Sequence, residues 1–196
     1  MSTFDKYAAT LHERLKASVA TGPAGGELPM QAALDAWRSI TEAARRQDRA
    51  HYFVGNGASA TMASHMALDC SKNAGIRGLA FNDAAYLTAI GNDLGGDQTF
   101  AAPLRWHARA GDVLVAISSS GRSPNIVAAI SAAREKGCSI ITLTGMGADN
   151  PSRKLGDLNF YVPGRTYGCV ESLHQVILHC WLDQCMGISE CGPGTG

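Results

Sequence analysis

The sequence carries no excess of charge of either sign. Its 196 residues include 17 lysines and arginines and 17 aspartates and glutamates, so the formal net charge is zero. A protein that binds nucleic acid usually shows a broad basic excess, because it must neutralise phosphates. We therefore expect no nucleic acid among its partners.

Long hydrophobic runs are also missing. No uncharged apolar stretch of the sequence approaches the roughly 20 residues that a membrane-spanning helix requires. The first residues, MSTFD, do not place a basic region before an apolar run, as a secretory signal would. Together these absences predict a cytoplasmic protein that does not bind a membrane.

The six cysteines form no CxxC pair, so the sequence gives no sign of a structural zinc site. A chain of this length that is 45% hydrophobic can bury a full core and does not need disulfide bonds. We expect six free thiols and a single domain.

From residue 50 onward, short apolar runs alternate with helical patterns. Continuous apolar runs are typical of strands in a parallel sheet that is covered on both faces. The five predicted strands are 51–54, 78–81, 112–117, 139–143 and 159–162. The expected fold class is therefore α/β: a three-layer, doubly wound, five-stranded parallel sheet of the flavodoxin-like type.

Two amphipathic helices are predicted before this sheet, because apolar residues recur there at steps of three and four. The first stripe consists of Phe4, Ala8, Leu11, Leu15 and Val19, and the second of Leu34, Trp37, Ile40 and Ala44. We expect one domain over 1–188, with oligomerisation helices in 1–49 and the α/β core in 50–188. Residues 189–196 are expected to form a flexible tail.

Glycine- and serine-rich loops follow the predicted strands, where ligands bind in an open parallel sheet. Segments 55–59 and 118–123 both lead into helices, and Asn82–Asp83 and 91–93 add polar groups. Each loop alone is compatible with an ordinary turn and helix cap. Two such loops at one sheet edge favour a phosphate ester site, whereas the nucleotide motifs GxGxxG and GK[ST] are absent.

Segments 55–59 (GNGAS) and 118–123 (SSSGRS) resemble the two sugar-phosphate loops of the sugar isomerase (SIS) domain. Together with HMALD at 65–69 and Glu171 through His179, they most resemble the phosphoheptose isomerases. The resemblance implies an aldose–ketose isomerase of carbohydrate metabolism. It would convert sedoheptulose 7-phosphate to D-glycero-D-manno-heptose 7-phosphate through an enediol.

The resemblance also implies roles for individual residues. The expected substrate-binding residues are Asn56, Gly57, Ala58, Ser59, Asn92, Asp93, Ser118, Ser119, Ser120 and Ser123. The expected acid and base groups are Asp69, His179 and Glu171. The family further implies a homotetramer with active sites at subunit interfaces.

Two departures from the family pattern favour a metal ion. The family's glutamate is Asp69 here, and its glutamine is Glu171. Two imidazoles and two carboxylates are suitable ligands for Zn²⁺, so we expect a metal site at His65, Asp69, Glu171 and His179. The alternative is a metal-free cluster in which a protonated histidine balances the carboxylates. His174 projects to a different side of its helix from His179.

Two other functions stay open at this stage. One is a non-catalytic SIS protein that senses a sugar phosphate or serves as an adaptor, and the other is an isomerase of another sugar phosphate.

Overall fold

The sheet has seven strands rather than the predicted five. In the computed structural model, which describes residues 1–188, the strands are β1 (Val19–Thr21), β2 (Glu27–Leu28), β3 (Ala50–Gly55), β4 (Arg77–Ala80), β5 (Val113–Ser118), β6 (Ser139–Gly145) and β7 (Leu158–Val162). Their order is β2-β1-β7-β6-β5-β3-β4. The five predicted strands are mutually parallel and follow the flavodoxin-like order, which confirms the α/β class.

The two additional strands form an antiparallel edge. β1 pairs with β7, placing Val19 opposite Tyr161, and β2 pairs with β1. The prediction that Val19 continues the first helix is wrong, because that helix ends at Lys16. The β-branched residues Val19 and Thr21 pair instead with the free edge of β7, a long-range contact that local periodicity does not reveal.

Eight α-helices accompany the sheet within the described residues. They are α1 (Thr3–Lys16), α2 (Met30–Arg46), α3 (Ala58–Asn73), α4 (Ala84–Asp93), α5 (Ala101–His107), α6 (Pro124–Glu135), α7 (Pro151–Leu155) and α8 (Tyr167–Met186). The sequence did not predict α4, α5 or α7. Gly91, Asn92 and Asp93 consequently lie in the last turn of α4 rather than in a loop.

The helices form two layers, one on each face of the sheet. On one face α2, α3 and α8 bury a cluster centred on Trp37 and Trp181, whose rings stack 4.2 Å apart. On the other face α5 and α6 cover residues such as Leu114 and Ile126. The predicted three-layer arrangement is therefore present.

Helix α1 lies outside these layers and has no buried residue. Leu11 and Leu15 pack against the core only in part. Phe4 is 77% exposed and Tyr7 is 46% exposed, so the apolar stripe is uncovered towards its N-terminal end. The division of the domain at residue 49 stays a prediction, and the tail 189–196 lies outside the described residues.

In the described part of the chain, none of the helices combines the length and apolar character needed to cross a membrane. Five of the cysteines, Cys70, Cys138, Cys169, Cys180 and Cys185, are free thiols, as predicted. The sixth, Cys191, lies outside the described residues.

Candidate active site

A crevice opens where the chain connections diverge. β3 and β5 are neighbours, yet β3 leads into α3 on one face of the sheet and β5 leads into α6 on the opposite face. Ligands of open α/β sheets bind outside the carboxyl ends of the strands at such a point. Both predicted phosphate loops lie there.

The loop after β3 is shaped by its glycines. A Cβ atom at Gly55 would lie 2.6 Å from the backbone of Ser59, so only glycine permits this close turn. Gly57 has a φ of 56°, a conformation that side-chain-bearing residues rarely adopt. No side chain caps the start of α3. The loop therefore brings backbone atoms, rather than bulky side chains, to the crevice.

Two serine hydroxyls hold the loop after β5 in shape. Ser118 Oγ accepts a hydrogen bond from the Gly121 N–H at 3.1 Å, and Ser120 Oγ accepts one from the Arg122 N–H at 3.3 Å. Gly121 has a φ of 62°, and a Cβ atom there would collide with the Asn150 side chain. The loop is thus a tight turn built around internal hydrogen bonds.

The other two hydroxyls of this loop are free to bind a ligand. Ser119 Oγ is buried and has no hydrogen-bond partner among the described residues. Ser123 precedes α6 at the N-cap position, but its side chain makes no capping hydrogen bond. A buried hydroxyl without a partner is costly, and an oxyanion would satisfy it.

Paired asparagines connect the two loops. The Asn56 and Asn125 amides exchange hydrogen bonds of 2.9 Å in both directions, which ties the loop after β3 to the first turn of α6. Within the loop after β5 (118–123), which we call the serine loop, Arg122 forms a 2.7 Å ion pair with Asp149, and its hydrogen bond lowers the pKa of that exposed carboxyl. These contacts hold both loops of the crevice in place.

Between the loops lies a cavity of about 140 Å³, which we call the serine cavity. Its lining residues are Asn56, Ser59, Ile117, Ser118, Ser119, Ser120, Ser123, Tyr167 and Glu171. Typical small-molecule pockets measure about 300–1,000 Å³, so this cavity suits one end of a sugar phosphate rather than the whole molecule. Four of the expected substrate-binding residues, Gly57, Ala58, Asn92 and Asp93, are not among the lining residues.

A second group of polar side chains joins α3 to α8. His65 Nε2 lies 3.2 Å from Asp69 Oδ2, and the His65 and His179 rings are 5.4 Å apart in an edge-on arrangement. One ligand atom of each residue lies within 4.8 Å of the others. This histidine–aspartate cluster brings together three of the four residues expected to bind metal.

The fourth residue, Glu171, lines the serine cavity and is not part of this cluster. It precedes His179 by eight residues, which corresponds to about 12 Å along α8. His174 is fully buried, and its Nε2 lies 3.0 Å from the Thr144 carbonyl oxygen. The histidine of α8 that faces the site is therefore His179.

The donor set of the histidine–aspartate cluster fits a divalent ion. Two imidazole nitrogens and one carboxylate oxygen are the usual protein ligands of a catalytic zinc ion, which keeps a fourth position open for substrate. The half-exposed His65 leaves the cluster accessible from solvent.

Two polar residues at the site were not predicted. Tyr167, at the start of α8, lines the serine cavity. Gln175 lies on α8 midway between Glu171 and His179, and its amide contacts Met66 Sδ of α3 at 3.6 Å. Its spacing of four residues from both could have placed it on the same helix face.

Comparisons with known proteins show which family the chain belongs to. The SIS domain family model matches residues 27–145, so the chain belongs to the SIS domain family. Within it, the chain is similar to proteins named phosphoheptose isomerase. The protein of that name from Rhodospirillum rubrum is 41% identical over 133 residues, which are 65% of this chain and 70% of the relative.

A second relative, the phosphoheptose isomerase of Citrifermentans bemidjiense, is 39% identical over 137 residues, covering 66% of this chain and 70% of its own. Among solved structures, the phosphoheptose isomerase from Neisseria gonorrhoeae superposes with a TM-score of 0.76 at 28% identity. That match covers 94% of this chain and 99% of the other, so the likeness extends well beyond the family model.

Proposed function

We propose that this protein is an aldose–ketose isomerase that converts sedoheptulose 7-phosphate to D-glycero-D-manno-heptose 7-phosphate. The observation that carries the proposal is the spacing of two polar groups along α8. The serine cavity adjoins Glu171, and the histidine–aspartate cluster includes His179, about 12 Å further along the helix. In this substrate the reacting carbons C1 and C2 lie at the opposite end of the chain from the phosphate on C7.

In this proposal the serine loop binds the phosphate. The free hydroxyls of Ser119 and Ser123 donate to its oxygens, with Ser118 and Ser120 lining the same cavity. Asn56 and Ser59 complete the wall on the β3 side. Anchoring the phosphate here directs the sugar chain along α8 towards the cluster.

The isomerisation moves one proton between neighbouring carbons. A base removes a proton from C1 of the ketose while an acid donates a proton to the C2 carbonyl oxygen, which gives the enediol. The base then returns its proton to C2 while the deprotonated acid takes the proton of the C1 hydroxyl, which gives the aldose. Asp69, held by His65 at 3.2 Å, is the proposed base, and His179 is the proposed acid. Glu171, which lines the serine cavity, is the proposed second carboxylate, which positions the substrate hydroxyls.

We further propose that the cluster holds a divalent ion such as Zn²⁺. His65, Asp69 and His179 would provide one ligand atom each, which would leave the second carboxylate oxygen of Asp69 and the second ring nitrogen of His179 for the proton transfers. Glu171 would join them only if its side chain turned along α8. The ion would polarise the substrate carbonyl and so stabilise the enediolate.

The direct experiment incubates the purified protein with sedoheptulose 7-phosphate and follows the formation of an aldoheptose phosphate. Fructose 6-phosphate and ribulose 5-phosphate serve as comparison substrates, because they share the phosphate but place it nearer the carbonyl. Preferred turnover of the heptulose phosphate supports the proposal. Binding of the sugar phosphate without turnover would instead support a non-catalytic SIS protein.

For the assembly we propose a homotetramer in which neighbouring subunits complete each active site. The proposal is supported by α1, whose apolar residues Phe4 and Tyr7 are 77% and 46% exposed within the described chain. We also propose a cytoplasmic location, which the five free thiols support because thiols persist in reducing compartments.

A further inference from the structure

A larger cavity lies away from the crevice. It measures about 600 Å³ and begins at the amino ends of β3 and β4, then extends along the edge strand β4 to Asp83. None of its lining residues belongs to the serine loop or to the histidine–aspartate cluster. We call it the arginine cavity, because Arg49, Arg77 and Arg109 line it.

Each carboxylate that lines the arginine cavity already forms an ion pair or accepts a hydrogen bond within the protein. Asp48 pairs with Arg77 at 3.2 Å, and Asp83 accepts a hydrogen bond from the Ala85 N–H at the start of α4. The buried carboxylate of Asp112 accepts the N–H groups of Ala50 at 2.9 Å and Arg109 at 2.7 Å. Of these three carboxylates, only Asp48 forms an ion pair with an arginine of the cavity.

The other two arginines of the cavity are Arg49 and Arg109. Within the described residues, neither has a carboxylate oxygen within the 4.0 Å of an ion pair. The Nε of Arg49 is in addition buried without a hydrogen-bond partner. The buried Nε lies beside Gly111 and is closed to the cavity, so an anion would pair with the other nitrogens of the Arg49 guanidinium and with Arg109. A phosphate suits the forked geometry of guanidinium donors.

The arginine cavity also has aromatic lining residues. Phe81 stacks on Tyr52 with 5.4 Å between ring centroids, and the Tyr86 and His107 rings each lie 5.9 Å from Phe81. The Tyr86 hydroxyl lies 3.1 Å from His107 Nε2, which fixes these two rings. Burial raises the pKa of Tyr52 to about 12, so its hydroxyl stays protonated and can donate a hydrogen bond. These aromatic side chains can stack on a planar ring.

We propose that the arginine cavity is a second ligand site, which binds a phosphate monoester carrying a planar ring, as in a nucleoside monophosphate. The phosphate lies between Arg49 and Arg109, and the ring packs against Tyr86 and Phe81. The volume falls within the range of about 300–1,000 Å³ that small-molecule sites occupy. The site stands on its own residues and does not depend on the proposed isomerase activity.

Calorimetric titration of the full chain with AMP tests this site. We expect AMP to bind at this site. Adenosine lacks the phosphate, and ribose 5-phosphate and inorganic phosphate lack the planar ring, so each should bind at least about tenfold more weakly. Arg109→Ala should weaken AMP binding by at least about tenfold, and Tyr86→Ala by several-fold. The exposed Arg46, which does not line the cavity, provides the matched control Arg46→Ala.

Ser119→Ala shows whether AMP binds in the arginine cavity or in the crevice, because Ser119 lines only the serine cavity. AMP affinity that survives Ser119→Ala but falls in Arg109→Ala supports the arginine cavity. AMP affinity that falls in Ser119→Ala and survives Arg109→Ala places the ligand in the crevice and overturns the proposal. Absence of AMP binding at millimolar concentration also overturns it, as does protection of Tyr86 from solvent by a second copy of the chain.

Discussion

The Ser119 hydroxyl is buried in the serine cavity and has no partner within the described residues. In Ser119→Ala we expect KM for sedoheptulose 7-phosphate to rise about tenfold to a hundredfold, because a hydrogen bond to a charged group contributes about 1.5–3 kcal/mol. Thermal stability should hardly change, since no internal hydrogen bond is lost. Steady-state kinetics and a melting curve measure both quantities.

The control for this prediction is Ser39→Ala. The Ser39 hydroxyl donates to the Asp35 carbonyl oxygen at 2.9 Å on the surface of α2, far from either polar group of the site. An unchanged KM in Ser119→Ala would show that the phosphate binds elsewhere.

At Asp69 the prediction concerns kcat. Asp69→Asn preserves the size of the side chain but removes the proposed base, so we expect kcat to fall roughly 10²–10⁴-fold. The exposed Asp35, on α2, gives the control Asp35→Asn. Circular dichroism checks that both variants fold. Retention of more than half of kcat in Asp69→Asn would assign the base to another group, with Glu171→Gln as the next variant to measure.

The third residue-scale prediction concerns the metal. EDTA should abolish isomerisation, and Zn²⁺ should restore it, if His65, Asp69 and His179 bind an ion that the reaction uses. His65→Ala should lose both the metal and the activity, whereas His107→Ala, at an exposed position on α5 outside the cluster, should retain both. Elemental analysis that finds no metal in fully active protein would leave a metal-free acid–base cluster.

At the scale of secondary structure, two buried histidines join the helices to the sheet. His51 of β3 lies 3.3 Å from the Thr41 hydroxyl of α2, and His174 of α8 contacts the Thr144 carbonyl of β6. Desolvation by burial lowers the pKa of each to about 4, from an ordinary value of 6.5. Both side chains are therefore neutral in the folded protein at neutral pH.

This predicts how stability depends on pH. Between pH 6.5 and 4 the unfolded chain binds protons at these histidines and the folded chain does not, so the free energy of unfolding falls as pH decreases. The contribution is complete above pH 6.5 and is lost progressively towards pH 4. Urea titrations of wild type and His174→Gln across this range measure it. We expect a shallower dependence in the variant, and identical slopes would contradict the assignment.

The sequence predicted the elements that carry their own pattern and missed those that depend on distant contacts. The continuous apolar runs of β3, β5, β6 and β7 were readable because both faces of each strand are buried. β1 and β2, of three and two residues, are too short for any periodicity. Helix α4 was missed because polar and glycine residues at 91–93 suggested a loop.

The same distinction applies to the site. The serine loop and the pair His65 and Asp69 are local in sequence, so their proximity follows from turn and helix geometry. Whether Glu171 lies close to the loop or to this pair depends on the position of α8 and on the orientation of the Glu171 side chain. Helical spacing alone determines neither. Arg49, Arg77 and Arg109 come from three separate segments without a motif, so only the folded chain brings them together.

At the scale of the whole molecule, the two cavities occupy different regions of one sheet. The crevice lies at the carboxyl ends of β3 and β5, whereas the arginine cavity starts at the amino ends of β3 and β4. Ala50 and Tyr52 of β3 line the arginine cavity, and Asn56, directly after β3, lines the serine cavity. A ligand in the arginine cavity therefore adjoins the strand that leads into the loop at Asn56.

The last prediction concerns assembly, because α1 leaves Phe4 77% and Tyr7 46% exposed on one apolar stripe. Burying such aromatic side chains is favourable by about 1.5–3 kcal/mol each, so copies of the chain should associate through α1. We expect light scattering to report a tetramer for the wild type and smaller species for Phe4→Ser combined with Tyr7→Ser. Leu94→Ser, at an exposed apolar position on the C-terminal side of α4, is the control and should remain a tetramer. A stable wild-type monomer at micromolar concentration would contradict both the assembly and an active site shared between subunits.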